Sequence, residues 1–165
     1  MDPECPQNVP TSPAAALDAA LGYALLRFTF GLNFLLHSYQ RWLDLGKFVN
    51  GTVHQFTTTP LPEWSVRAFA TAIPFIEPLL GALILTGLWT RSALVAGALF
   101  IAALTFGTAL RNDYAVLSVQ LLYALTFFLL LLTRGHNRFS VDAWLTTRGL
   151  QSSGSSSSPS TTALF

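Results

Sequence analysis

Apolar residues gather in four long stretches, at roughly residues 17–37, 66–89, 92–110 and 114–132. Each comes close to the roughly 20 residues that carry an α-helix across a bilayer. A helix on the surface of a soluble bundle would show an apolar stripe and a polar face at the 3.6-residue period. These stretches are apolar nearly all round, which predicts membrane-spanning helices. Only Thr90 and Arg91 separate the second from the third, and Arg111, Asn112 and Asp113 turn the third into the fourth. Connections this short force antiparallel neighbours. The predicted fold is therefore all-α, an integral membrane four-helix bundle of up-down-up-down topology.

Between the first two spans lies a longer segment, residues 41–65. Leu43, Val49, Val53 and Phe56, interleaved with Gly46, Lys47 and Asn50, allow a short, partly amphipathic helical insertion that lies on the bilayer or caps the bundle. Pro60 and Pro62 close that segment, and Pro62 suits the start of the next helix. The expected domain plan is a flexible leader over residues 1–16, a four-span membrane domain over 17–145 and a disordered, serine-rich tail over 146–165. Trp144 is expected to anchor a short amphipathic stretch, residues 139–145, at the membrane surface.

Composition strengthens the membrane reading. The 165 residues are 52% hydrophobic and 10% charged, against about 25% charged in soluble domains. Trp42, Trp64, Trp89, Tyr39 and Tyr114 fall at predicted helix ends, where amphipathic rings settle among lipid headgroups. The first 13 residues are acidic and proline-rich, without the basic region of a secretory signal. Cys5 is the single cysteine, so no intrachain disulfide forms and cysteine-based redox chemistry lacks a second thiol. Net charge is +1 with no basic stripe, which excludes nucleic acid as a partner. The positive charges bordering the spans divide evenly, Arg91, Arg134, Arg138 and Arg148 against Arg41, Lys47, Arg67 and Arg111. The tight Arg91 turn and the Arg134/Arg138 pair favour both termini in the cytoplasm.

Ionisable groups within apolar spans are costly and mark candidate sites. Glu77 lies mid-span between Pro74 and Pro78, and each proline removes an amide donor, which should free the carbonyls of Ala70 and Pro74. Counting from the outer ends of the first two spans puts Arg27 and Glu77 at matching depth, roughly 15 Å in. An Arg27–Glu77 pair across the first helix interface is the expected neutralisation. Two readings of it stay open: a clasp that docks one helix on the other, or the polar floor of a pocket that binds a headgroup or relays protons. Asn33 and His37 share one face of span one, and Gln120 and Tyr123 share one face of span four. These residues could border a common cavity, although Asn33 and His37 are turned away from Arg27. Bis-histidine haem ligation is not supported, since His37, His54 and His136 do not face one another inside the bundle. No Cys/His/Asp spacing suits a metal, and no phosphate loop or nucleophile elbow is present. Small residues on span three, among them Ala93, Gly97, Ala98 and Gly107, permit close helix contact within the bundle or between protomers, so a homo-oligomer is compatible with the sequence.

The run from Leu26 to Arg41, with Arg27, Gly31 and a closing His37-Ser38-x-x-Arg41, resembles the first helix of DoxX-type membrane proteins. Ser38 and Arg41 stand where that pattern has glycine and lysine. Glu77-Pro78-Leu79-Leu80-Gly81 and Gly87-Leu88-Trp89-Thr90-Arg91 resemble the family's second helix and its ending, and Asn137 to Asp142 resembles the segment after its fourth. The likeness runs over about residues 18–145. It implies a bacterial inner-membrane subunit of a redox system, related to sulfur metabolism or oxidative stress. The family includes the small DoxD subunit of thiosulfate:quinone oxidoreductase, and on this implication the chain touches the quinone pool or docks a soluble oxidoreductase. On this implication Glu77, Arg27 and His37 are the candidate catalytic residues. Asn33, Gln120 and Tyr123 are the candidate cofactor-binding residues, no metal is held, and any cofactor is a non-covalent quinone. The alternative is a non-enzymatic membrane anchor or assembly factor in which Arg27–Glu77 is a clasp; a small-molecule transporter is a third reading, though no inverted repeat with paired broken helices is evident.

Overall fold

The computed structural model describes residues 12–154. Among them every regular element is helical: α1 (Pro13–Leu43), α2 (Leu45–Gln55), α3 (Glu63–Thr86), α4 (Thr90–Leu110), α5 (Tyr114–Leu132) and, after a 3₁₀ turn at Thr133–His136, α6 (Val141–Gly154). Four helices are long and apolar enough to cross a membrane, so the up-down-up-down bundle and the short helix between the first two spans are both present. Large apolar side chains, among them Leu25, Leu99, Leu122 and Leu132, remain exposed on its outside. In water such a surface would aggregate, whereas against lipid it is the expected exterior. Trp64, Trp89 and Tyr114 are likewise exposed at helix ends.

Local chemistry sets the boundaries. Ser12 caps α1 by accepting from the Ala15 amide at 3.2 Å, Asp44 caps α2 through Lys47 at 2.9 Å, and Asp113 caps α5 through Val116 at 3.2 Å. Gly87 ends α3 in the left-handed conformation (φ 69°), with its own amide and that of Leu88 both donating to the Leu83 carbonyl. This is the favoured use of glycine at a helix C-terminus. Two expected boundaries move. The first helix begins at Pro13 instead of residue 17, because Ser12 and a proline in the first turn start it earlier. Helix α6 continues through residues 146–154, part of the stretch expected to be a structureless tail; residues 1–11, which include Cys5, and 155–165 lie outside the described residues.

The core is aromatic at its centre. Phe30 packs edge-on against Phe34, Tyr123 and Phe127, with ring centroids 5.4, 5.5 and 4.8 Å away. Phe127 fits because Gly97 leaves room: a Cβ there would collide with its ring. Helices α1 and α3 meet glycine to glycine. A Cβ on Gly31 would lie 2.8 Å from the Leu85 amide nitrogen, and one on Gly81 would lie 2.9 Å from the Gly31 carbonyl. Small residues let backbones approach where no hydrophobic effect drives helices together. The Gly107 contact is also internal, with Phe56, which caps the end of α2, lying 3.2 Å from where a Cβ would sit.

Candidate functional site

The glycine crossing fixes the register of α1 on α3, and the register decides which charges meet. Gly31 lies opposite Gly81 and Leu85, and the Arg27 guanidinium reaches the Gly87 turn. Ten residues separate that turn from Glu77, roughly 15 Å at the helical rise. The expected Arg27–Glu77 pair therefore does not form. Its depth estimate took the two helices to be level at their outer ends, whereas α1 continues to Leu43 and the first turns of α3 extend past it, alongside α2.

Arg27 instead organises the end of the bundle. It donates to Asn137 Oδ1 at 3.0 Å and to the Phe139 carbonyl. Asn137 in turn donates to the Thr90 hydroxyl at 3.1 Å. The same hydroxyl donates to Asp142 at 2.7 Å, and the Asp142 carboxylate also accepts the backbone amides of Trp89 and Thr90, each at 2.8 Å. Asp142 thus caps α4 from a distant part of the chain, and it holds Trp89 in a left-handed conformation (φ 47°) that is strained for a non-glycine residue. Partial burial pushes the Asp142 carboxyl up, but the hydrogen bonds from Thr90 and Trp89 and the charge of Arg27 outweigh it, so the group stays below the usual carboxylate range. This network joins α1, the α3–α4 turn and the segment after α5.

Glu77 is paired with Arg41, a contact the sequence reading missed. Arg41 lies 14 positions beyond Arg27, close to four turns, so the two arginines share one face of α1 about 21 Å apart. The signal was present in that spacing and in the i, i+4 step from His37. Next to this pair, the carbonyl of Pro74 is free because Pro78 has no amide hydrogen to return to it. Ser38 Oγ and Trp42 Nε1 donate to it at 2.9 and 2.8 Å. The expectation of a freed Pro74 carbonyl holds, and its occupants come from α1.

Glu77 and Arg41 line a cavity of about 170 Å³ together with Asn33, His37, Gln120 and Tyr123. Five of the six sequence-selected residues converge there, and Arg27 does not. Asn33 donates to the Tyr123 hydroxyl at 2.9 Å, and Gln120 Nε2 donates to the Thr108 hydroxyl at 2.9 Å. Two buried acceptors, Glu77 Oε2 and Gln120 Oε1, have no partner among the described residues. Both side chains are nine-tenths or more buried. Unpaired buried polar atoms are rare because each forfeits the hydrogen bonds it had in water. The chemistry on offer is therefore a carboxylate held by an arginine, a carboxamide oxygen awaiting a donor, and an imidazole beside them.

The chain matches the DoxX family over residues 22–111, from the first turns of α1 to the end of α4. It belongs to the DoxX family. Arg27, Asn33, His37, Arg41 and Glu77 all lie within the matched region of this DoxX protein, whereas Gln120, Tyr123 and the segment from Asn137 to Asp142 lie beyond it. No curated protein and no solved structure matches the chain. As a DoxX protein with four apolar helices, it is a multi-pass membrane protein. No group of His, Cys, Asp or Glu among the described residues could hold a metal ion.

Proposed function

We propose that this protein is a bacterial inner-membrane subunit of a redox system, related to sulfur metabolism or oxidative stress, and that it meets the quinone pool at the Glu77–Arg41 cavity. The observation that carries this reading is that Glu77 and Gln120, each with a buried oxygen lacking a donor among the described residues, both line one cavity. A quinol ring offers two O–H donors to such acceptors. The volume suits it: about 170 Å³ is close to the roughly 150 Å³ cavity that takes up benzene in a protein interior. When bound, the ring supplies two-electron chemistry. The chain supplies the seat, with Glu77 and Gln120 accepting from the ring hydroxyls, Arg41 fixing the carboxylate, and His37 beside them as a group able to hold a proton. A soluble oxidoreductase partner would exchange electrons with the ring.

The second reading is a non-enzymatic anchor or assembly factor. It is favoured by the Arg27–Asn137–Thr90–Asp142 network, which holds helix ends together from three parts of the chain. Inverted membrane vesicles separate the two. Supplied with thiosulfate as electron donor, vesicles from a strain lacking this protein should reduce added quinone more slowly than those of the parent. Re-expressing the native chain should restore the rate, and Glu77→Gln at equal abundance should not. Restoration by Glu77→Gln would refute a role for the carboxylate and leave the anchor reading.

A further inference from the structure

A second, larger space adjoins the polar cavity. It has a volume of about 510 Å³ and shares Arg41, Leu104, Val116 and Gln120 with the smaller one. Helix α2 forms one wall through Phe48 and Thr52, with Phe56 just past its end, and α4 forms another through Ala103 and Gly107. The chamber is thus polar where Arg41 and Gln120 lead to Glu77 and again where Arg111 meets Gln55, and mainly apolar between Phe48, Phe56, Phe69, Leu104 and Phe106. Phe69 and Phe106 line it and are 38% and 61% exposed, so they border an opening of the chamber. Its volume lies within the roughly 300–1,000 Å³ of pockets that enclose whole small molecules, and the polar cavity alone falls short of that range.

The helix over this chamber is held by the buried Val49, by a hydrogen bond from Arg67 to Asn50 and by two arginines. Arg41 stacks over Phe48 at 4.8 Å, and Arg111 stacks over Phe56 at 5.2 Å while also bonding Gln55. Arg41 therefore touches α2 on one side and Glu77 on the other, joining the wall of the chamber to the polar seat.

We infer that the α2 chamber is the tail site of the same ligand: an amphiphile with a compact ring bearing hydrogen-bond donors, seated at Glu77 and Gln120, whose hydrocarbon chain lies under α2 and leaves between Phe69 and Phe106. The inference rests on the quinone reading for the identity of the ring and on the chamber for the position of the chain. A free polar metabolite would leave the chamber unfilled, whereas a ring with a long chain fills both spaces and arrives from the bilayer.

The test uses the full-length protein in lipid nanodiscs. Three photoreactive probes carry the same ten-carbon chain ending in a diazirine, attached to a hydroquinone, a phenol or a phosphocholine. After irradiation, labelled peptides are mapped. The hydroquinone probe should label residues 48–56 and 103–107. Thr52→Trp, which fills the chamber from α2, should lower that labelling at least tenfold with an unchanged melting temperature, and Ala103→Leu should do so from the opposite wall. Labelling confined to lipid-facing positions such as Leu121 and Leu125 would overturn the inference, as would chamber labelling that both variants leave intact. Stronger chamber labelling by the phosphocholine probe than by either ring would also overturn it, assigning the space to a phospholipid. Equal labelling by phenol and hydroquinone, unaffected by Glu77→Gln, would keep the tail site and remove the quinone reading. Should both variants fail to fold, the labelled positions in the native chain decide.

Discussion

Exchange of the expected charge partner makes a quantitative prediction. The side chain of Glu77 is 6% exposed and that of Arg41 is 25% exposed. Removing one member of a buried pair costs roughly 3–5 kcal/mol because the other charge stays desolvated. The two deletions should not cost the same. Arg41→Leu leaves a carboxylate that cannot reach water, so its cost should be about 3 kcal/mol. Glu77→Leu leaves an arginine near the end of α1 whose long stem can carry its head to the interface, so about 1–2 kcal/mol is expected. The double variant should cost far less than the sum, giving a coupling of about 2–3 kcal/mol. Arg27→Leu combined with Glu77→Leu is the control, and those costs should add to within about 0.5 kcal/mol because the two residues share no partner. Equilibrium unfolding in mixed detergent, titrated with a denaturing detergent, reads all five variants. Coupling between residues 27 and 77 as large as that between 41 and 77, or additive costs for 41 and 77, would refute the register of α1 on α3.

Two further predictions concern the packing that fixes this register and the cap on α4. Gly31→Val should separate α1 from α3, since even a single Cβ meets backbone at 2.8 Å; the same unfolding assay should show a loss of at least about 2 kcal/mol, and an unaltered midpoint would argue against the glycine crossing. Asp142→Asn should lower stability by about 1 kcal/mol at neutral pH through a weakened cap. The native Asp142 is held below its ordinary carboxylate value, so its contribution is present at neutral pH and is lost as pH falls below about 4, through the folded-state value; a native-minus-variant stability difference that fails to shrink under acid would contradict this role.

Much of the fold could be read from the sequence because membrane helices are specified by composition over a long window, and chain length across the bilayer leaves few alternatives. The helical insertion at α2 was legible from its mixed apolar and polar pattern. The convergence of Asn33, His37, Glu77, Gln120 and Tyr123 was legible too, since each is a polar residue that an apolar span must hide. Their pairing was not. Relative depth on adjacent helices depends on where two small residues allow contact, and Gly31 and Gly81 impose an offset that counting from hydrophobic boundaries cannot supply. Ser38 stands where the family pattern has glycine, yet it is one of two donors, with Trp42, to the Pro74 carbonyl. The role of Asp142 was hidden because a cap delivered from 52 residues along the chain leaves no local signature.

That distant cap bears on how the protein is made. A chain that enters the membrane from its amino end places α4 before Asp142 has been synthesised, so the first amides of α4 and the strained Trp89 backbone must wait for a carboxylate 52 residues downstream. Arg27 waits longer still, with Asn137 lying 110 residues beyond it. The first three spans can insert, but their shared end cannot close until the ribosome has released the segment beyond α5. Completion of the bundle is thereby tied to completion of the chain: a nascent product stopped after α4 carries a buried arginine without its partners and an uncapped helix, both features by which quality control could distinguish an unfinished protein from a finished one.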